Sequence, residues 1–284
     1  MNTEICRSIS ALIVSAILVL SPAVAGAETK PLRVAVVNTP QFSGLMDVLI
    51  ADFKTATGTD VTVYSGSDVF ERAKNGEADV VIAHYGKPEM EDFVLKGYGA
   101  WPRMVFSNQM VIIGPPEDLA HIRGLSSGAD ALKKIAETKS PFIANALPGV
   151  AYLTSLFLEM AGSPEKKGWY LDEGLEKGRA IRAATANRAY VIFGAWPFLR
   201  IKKKQGSDLE ILVASDPLLQ RVMASVVVHP DKVAGVDQPG ALAFQKFLLS
   251  PASQARIAAF RSPESSLQLW WPAGRDNDNG FLDD

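Results

Sequence analysis

Between Leu32 and Gly97 short apolar runs alternate with helical patterns, and this alternation limits the fold more than any other feature of the chain. Leu32–Val37, Val61–Tyr64 and Asp79–Ala83 read as strands, rich in valine and isoleucine. Ser43–Thr57 puts Leu45, Met46, Leu49, Ile50 and Phe53 on one helical face, and Gly58 closes it. Asp68–Asn75 reads as a short helix, with Asp68 and Glu71 at capping-box spacing and Gly76 as its stop. Pro88–Lys96 starts on a proline and is followed by Gly97. Strand–helix repeats of this kind specify an α/β fold, a parallel sheet covered by helices.

Two polar loops follow the first two strands. Asn38-Thr39-Pro40-Gln41-Phe42-Ser43-Gly44 comes after the first, and Ser65-Gly66-Ser67-Asp68 after the second. Each sets hydroxyls and backbone N–H groups at the start of a helix, where the macrodipole amounts to roughly half a positive charge. Such a terminus suits an anion or a polar solute. Open α/β sheets bind ligands in the crevice at the carboxyl ends of their strands. A small solute is therefore the expected partner.

Beyond Gly99 a second unit begins. Met104–Ser107 and Met110–Ile113 read as strands broken at Asn108-Gln109 and ended by Gly114-Pro115-Pro116. Ala129–Thr138, Val150–Ala161, Gly174–Asn187 and Trp196–Lys204 read as helices; Pro141–Ala146, Ala189–Phe193 and Leu209–Val213 read as strands. Val222–Val228 is an apolar strand that leads back to the first unit, before helices over Ala241–Leu249 and Ala252–Phe260. One unit interrupted by another, with crossing strands near Val111–Gly114 and Val222–Val228, predicts a hinge that closes on a ligand.

The amino-terminal residues point to export. Arg7 precedes a mostly apolar run from Ile9 to Leu20, too short to span a bilayer. Small residues at Ala23, Ala25 and Ala27 offer A-x-A cleavage after Ala25 or Ala27. Residues 1–27 are read as a cleaved signal peptide and the destination as the periplasm. Cys6, the only cysteine, lies before the apolar run, so cleavage leaves no thiol for disulfides, nucleophilic attack or metal binding. A net charge of −2 offers no nucleic-acid footprint. The three histidines, His84, His121 and His229, share no metal-ligand spacing. No G-x-S-x-G elbow is present. The reading is a binding protein, not an enzyme, with no cofactor and no metal.

A set of short pieces carries a family resemblance. They include Ser43-Gly44-Leu45-Met46-Asp47, Thr57-Gly58-Thr59-Asp60-Val61, Ala73-Lys74-Asn75-Gly76-Glu77-Ala78-Asp79-Val80 with His84, and Phe93-Val94 with Gly97-Tyr98-Gly99. Asn108 with Val111-Ile112-Ile113-Gly114-Pro115, Trp169-Tyr170, and Ser250 with Gln254 and Ile257 extend it. In this order the pieces resemble the periplasmic tungstate-binding proteins of ABC transporters. The resemblance implies a two-lobed type II periplasmic binding protein-like fold: two mixed sheets flanked by helices, with a two-strand hinge. It places lobe I at 28–112 and 224–274, lobe II at 113–223 and a disordered acidic tail at 275–284.

The departures from that family concern the ligand. Its threonine-rich first loop is Val36-Val37-Asn38-Thr39 here, and its glycine-threonine-glycine loop is Ser65-Gly66-Ser67. The stretch in which the family carries an arginine toward the oxyanion reads Ala144-Asn145-Ala146-Leu147-Pro148-Gly149, with Asn145 at the arginine position. Asparagine cannot reproduce the bidentate fork of a guanidinium. Leu147, Tyr152, Phe193 and Trp196 offer an apolar alternative lining for a less charged solute.

The candidate ligand contacts are Asn38, Thr39, Ser43, Ser65, Gly66, Ser67, His84, Asn145 and Gly149. Plainer roles stand beside them. Ser43 also reads as a helix cap, Asn38 and Thr39 as turn formers, and His84 as a structural histidine. Asn108 reads as a hinge residue, and Trp270-Trp271-Pro272 as packing of the tail on the first unit. The expected function is delivery of a small oxyanion or other polar solute to an ABC transporter permease in the inner membrane, by a monomer. The alternative is a periplasmic sensor subunit for an organic solute.

Overall fold

The apolar runs of the first unit pair as their alternation requires. A computed structural model describes residues 30–263 and 266–274; the signal-peptide and acidic-tail expectations lie outside the described residues. From Pro31 onward these form one unit. Strands β1 (Leu32–Val36), β2 (Val61–Ser65) and β3 (Val80–His84) run parallel, with β1 in the middle. They are connected through helices α1 (Asn38–Phe42), α2 (Leu45–Thr57) and α3 (Val69–Lys74), and α4 (Pro88–Leu95) follows β3.

Local chemistry moves some boundaries. The first polar loop is largely helical, because α1 begins directly after β1. Gly44, at φ 84°, then breaks the chain between α1 and α2, a left-handed conformation that glycine adopts without a Cβ penalty. Ser43 therefore precedes the second helix instead of opening it. The capping box at Asp68 does not form. The Asp68 carboxylate instead accepts from the Tyr64 hydroxyl and pairs with Arg72 at 3.3 Å.

β4 (Arg103–Gly114) is one continuous strand where the sequence suggests two. It stays extended because it changes partners instead of stopping. Its first part pairs antiparallel with β9 (Gln220–Val227), down to Gln109 opposite Gln220. From Met110 it pairs with β7 (Tyr190–Gly194), and from Ile112 also with β8 (Glu210–Val213). The strand order is β2-β1-β3-β9-β4-β7-β5-β6, where β5 is Phe142–Ile143 and β6 is Tyr170–Leu171. The predicted strand over Pro141–Ala146 shrinks to β5, since Asn145 turns into the next helix. The second sheet carries helices α5 (Gly128–Glu137), α6 (Pro148–Met160), α7 (Gly178–Ala186) and α8 (Ala195–Gln205). Helices α9 (Gln238–Leu249) and α10 (Pro251–Ala259) return to the first, and β10 (Trp271–Pro272) adds to the edge of β4. This is the two-lobed mixed α/β architecture, with one shared strand joining two sheets.

Both faces of the first sheet are buried, as expected of parallel strands covered by helices on each side. Leu32, Val34, Val36, Val80 and Ile82 pack with Leu45, Leu49, Phe53 and Phe244. Ala35, Val81 and Ala83 face Val69, Phe70, Met90 and Phe93. The Phe53 and Phe244 rings meet edge-on at 5.0 Å. Trp270 is fully buried, meets Phe106 edge-on at 5.2 Å and donates to Ser43 Oγ at 3.0 Å. Trp270-Trp271-Pro272 thus pack on the first unit as the sequence suggests. Asp79, 1% exposed, accepts from the Arg33 side chain and from the Arg33 and Asp237 backbones. This ties β1, β3 and the approach to α9 together.

Candidate functional site

Parallel pairing fixes where the polar loops lie. The carboxyl ends of β2, β1 and β3 share one edge, so Ser65-Gly66-Ser67, Asn38 and His84 follow one another along it. The Gly66 N–H donates to Val36 O at 3.1 Å and ties the first two loops. β9 runs antiparallel to β3, so its opening residues reach the same edge. Met223 lies opposite His84, and Arg221 lies opposite Asn108 of β4. One residue beyond Gln109, Met110 lies opposite Gly194 at the end of β7. The strand ends of the two sheets therefore abut along β4 and face a common crevice. The Ser107 hydroxyl donates to Gln220 Oε1 at 2.8 Å, and the Gln109 amide donates to Ala214 O, tying the crossing segments.

The helices that begin at these strand ends share a second property. The starts of α1, α2, α3, α4, α6, α7 and α8 have no side-chain cap. The starts of α5, α9 and α10 are capped by Ser127, Asp237 and Ser250. The helices that begin at these strand ends are among the uncapped ones, and each such start carries partial positive charge.

The nine candidate contacts separate into distinct environments. Asn38 is exposed and Thr39 half-buried, and neither side chain makes a hydrogen bond among the described residues. Ser65 is half-buried at the end of β2, and Ser67 is exposed. Ser43 is 1% exposed; its hydroxyl donates to Pro40 O at 3.1 Å and accepts from Trp270. Asn145 is 2% exposed. Its Nδ2 donates to Ile192 O at 3.3 Å, and its Oδ1 accepts from Leu147 N at 3.2 Å and Lys177 N at 3.4 Å. The structure gives Ser43 and Asn145 internal partners in place of an open face. Phe193 and Trp196 are core residues, 5% and 7% exposed, and half-buried Leu147 packs against the core. Of the apolar lining considered from sequence, only Tyr152 is well exposed.

His84 reports the electrostatics of the edge. Burial removes its ring from water, and Arg221 and Lys87 repel the protonated form. Against a smaller opposing pull from Asn108, these causes bring the imidazole down to about 3, so it is neutral at pH 7. No carboxylate among the described residues acts on it. Desolvation likewise lowers Arg221 from the ordinary guanidinium value, and no carboxylate among the described residues answers its charge.

Arg221 and Gly149 come together across the crevice. Arg221 Nη1 donates to Gly149 O at 3.3 Å and lies 3.9 Å from Met110 Sδ. A Cβ on Gly149 would stand 2.6 Å from that Nη1, so glycine is what lets the guanidinium approach the start of α6. Sequence reading does not single out Arg221. The available signal is a basic residue at the head of the apolar strand that crosses back. Asn108 Oδ1, on the neighbouring strand, is buried and acts on the His84 ring.

Residues 32–260 match the family of bacterial extracellular solute-binding proteins. The chain is 30% identical over 236 residues to the tungstate-binding protein TupA of Peptoclostridium acidaminophilum, covering 81% of each. It superimposes on the tungstate-binding protein TupA of Desulfovibrio alaskensis with a TM-score of 0.73 at 25% identity, covering 87% of this chain and all of that one. A tungstate ABC transporter structure from Geobacter sulfurreducens gives 0.66 at 28% identity, covering 81% and 99%.

Proposed function

Because the chain belongs to the bacterial extracellular solute-binding protein family, we propose that it binds a small oxyanion between its two lobes, in the periplasm, and delivers it to an ABC importer permease. The observation that carries this reading is the field around His84. Arg221 and Lys87 act on that ring and no carboxylate among the described residues does. A desolvated positive pocket with uncapped helix starts on either side favours a negatively charged solute. The relatives that bind tungstate point to the same class of ligand. Hydrogen bonds to a charged group contribute about 1.5–3 kcal/mol each, enough for a few donors to hold a small anion.

The mechanism is binding without covalent chemistry. The anion docks on the loops Asn38-Thr39 and Ser65-Gly66-Ser67 beside His84, and the start of α6 at Gly149 closes over it. The hinge is the pair of segments that cross between sheets, β4 and residues 214–220. Lobe I then comprises 28–112 and 224–274, and lobe II comprises 113–223. Only a ligand that prefers the closed arrangement shifts the opening equilibrium. The permease recognises the closed form. A monomer suffices, and no cofactor is needed.

A thermal-shift and calorimetric screen against tungstate, molybdate, sulfate, phosphate and small organic acids tests this. A ligand present at 100 times its Kd stabilises the protein by about 2.7 kcal/mol. A shift with an inorganic oxyanion supports the reading. Stabilisation by organic solutes alone refutes it.

A further inference from the structure

We infer that Arg221 is the anion-recognising cation of this site, presented from the returning strand β9 in place of an arginine at position 145. The inference rests on the oxyanion reading above and names the residue that carries its charge recognition. The sequence offers Asn145 where a guanidinium is expected, and the Asn145 carboxamide, 2% exposed, is engaged by Ile192, Leu147 and Lys177. One amide N–H is left over, and it offers neither the charge nor the fork of a guanidinium.

Arg221 has the opposite character. Strand pairing sets it next to Asn108 and one residue from the Val222 carbonyl that receives the Tyr85 N–H. It is thus at the strand-end edge, within the range at which its charge depresses His84. Its guanidinium is partly desolvated, yet among the described residues its hydrogen-bond partners are a backbone carbonyl and a thioether, Gly149 O and Met110 Sδ. A guanidinium has five N–H donors in a planar fork suited to oxyanions. A desolvated cation without a counter-charge is costly, and an anion bound beside it removes that cost.

Gly149 is the second half of the device. It is the second residue of α6, and a methyl there would stand 2.6 Å from Nη1, 3.0 Å from Nη2 and 3.2 Å from Cζ. The start of α6 is shaped to receive this side chain, and it bears no side-chain cap of its own. Arg221 therefore links the first sheet to the first turn of α6. An anion seated there meets the guanidinium fork from β9 and the Gly149 N–H in the first turn of α6 together.

The test compares wild type with Arg221→Gln, Arg221→Lys and Gly149→Ala by isothermal titration with tungstate, molybdate, sulfate and phosphate. Thermal melts without ligand check that each variant folds. Arg221→Gln is expected to weaken binding of the recognised anion by about 10- to 100-fold. Arg221→Lys keeps the charge but loses the fork and falls between. Gly149→Ala keeps the arginine in the sequence but shifts its guanidinium, and it also weakens binding. Should wild type bind an oxyanion and both Arg221→Gln and Gly149→Ala bind it within twofold, Arg221 is only a structural tie between β9 and α6 and the inference falls alone. Should wild type bind none of the four anions, the inference falls together with the oxyanion reading.

Discussion

Replacing His84 by glutamine will flatten the acid dependence of stability. The ring at the end of β3 is buried against Arg221 and Lys87, and it stays neutral down to about pH 3, against 6.5 for a free histidine. The sign follows from proton linkage. Between these values the unfolded chain binds a proton at residue 84 that the native protein does not. The stabilising contribution of the neutral ring is complete above pH 6.5 and is lost as the pH falls toward 3. The slope is at most about 1.4 kcal/mol per pH unit. Lowering the pH from 6.5 to 4.5 therefore removes up to roughly 3 kcal/mol, a large share of a typical 5–15 kcal/mol. Urea unfolding of wild type and His84→Gln at both pH values measures it. Wild type should lose more stability on acidification, by up to that amount. An imidazole NMR titration gives an independent readout, with the His84 signal identified by its disappearance in the variant. Equal acid losses in the two proteins, or a His84 signal that moves between pH 7.5 and 5, would refute the electrostatic picture of the crevice edge.

Other perturbations separate structural roles from binding roles. Asp79→Ala takes the carboxylate from Arg33 and leaves the Arg33 and Asp237 N–H groups without it, while the guanidinium keeps the Gly76 and Gly235 carbonyls; it should cost about 1–3 kcal/mol in urea unfolding. Burial alone would raise the Asp79 carboxyl, but the Arg33 side chain and two backbone donors hold it below the usual range. Its contribution is therefore present above the ordinary aspartate value and declines as the pH falls through the native one. Ser43→Ala leaves the Trp270 N–H unpaired in the core and should cost about 1–3 kcal/mol, with anion affinity unchanged by calorimetry. Asn145→Ala frees the Ile192 carbonyl and the Lys177 N–H at the start of α7. It should lower stability by a similar ~1–3 kcal/mol in the same unfolding assay.

The alternation of period in the first third was legible because strands and helices there are short, regular and punctuated by glycine. Gly58, Gly76 and Gly97 all adopt positive φ at helix ends, as their placement in the sequence suggests. Irregularity was harder to read. Asn108-Gln109 look like a break because polar residues interrupt an apolar run. They are instead the point where one strand exchanges one sheet for another, with Asn108 and Gln109 still paired to Arg221 and Gln220. Similarly, Asp68 and Glu71 have capping-box spacing, but Tyr64 and Arg72 engage the Asp68 carboxylate first.

The candidate site divides in the same way. Sequence alone determined that polar loops follow β1 and β2, and that the chain leaves one unit and returns, because strand period and helix termini are local properties. The family resemblance implies an arginine at the position where Asn145 stands. Tertiary structure decided which polar groups remain open. The partner of Ser43 is 227 residues away at Trp270, and that of Asn145 is 47 residues away at Ile192. Arg221 reaches Gly149 over a separation of 72 residues. Whether a side chain is presented or consumed depends on the burial and pairing that long-range strand register imposes, and no local pattern encodes that register. The departure from the family's arginine was therefore visible in the sequence, while the guanidinium on the neighbouring strand emerged only when β9 was laid beside β4.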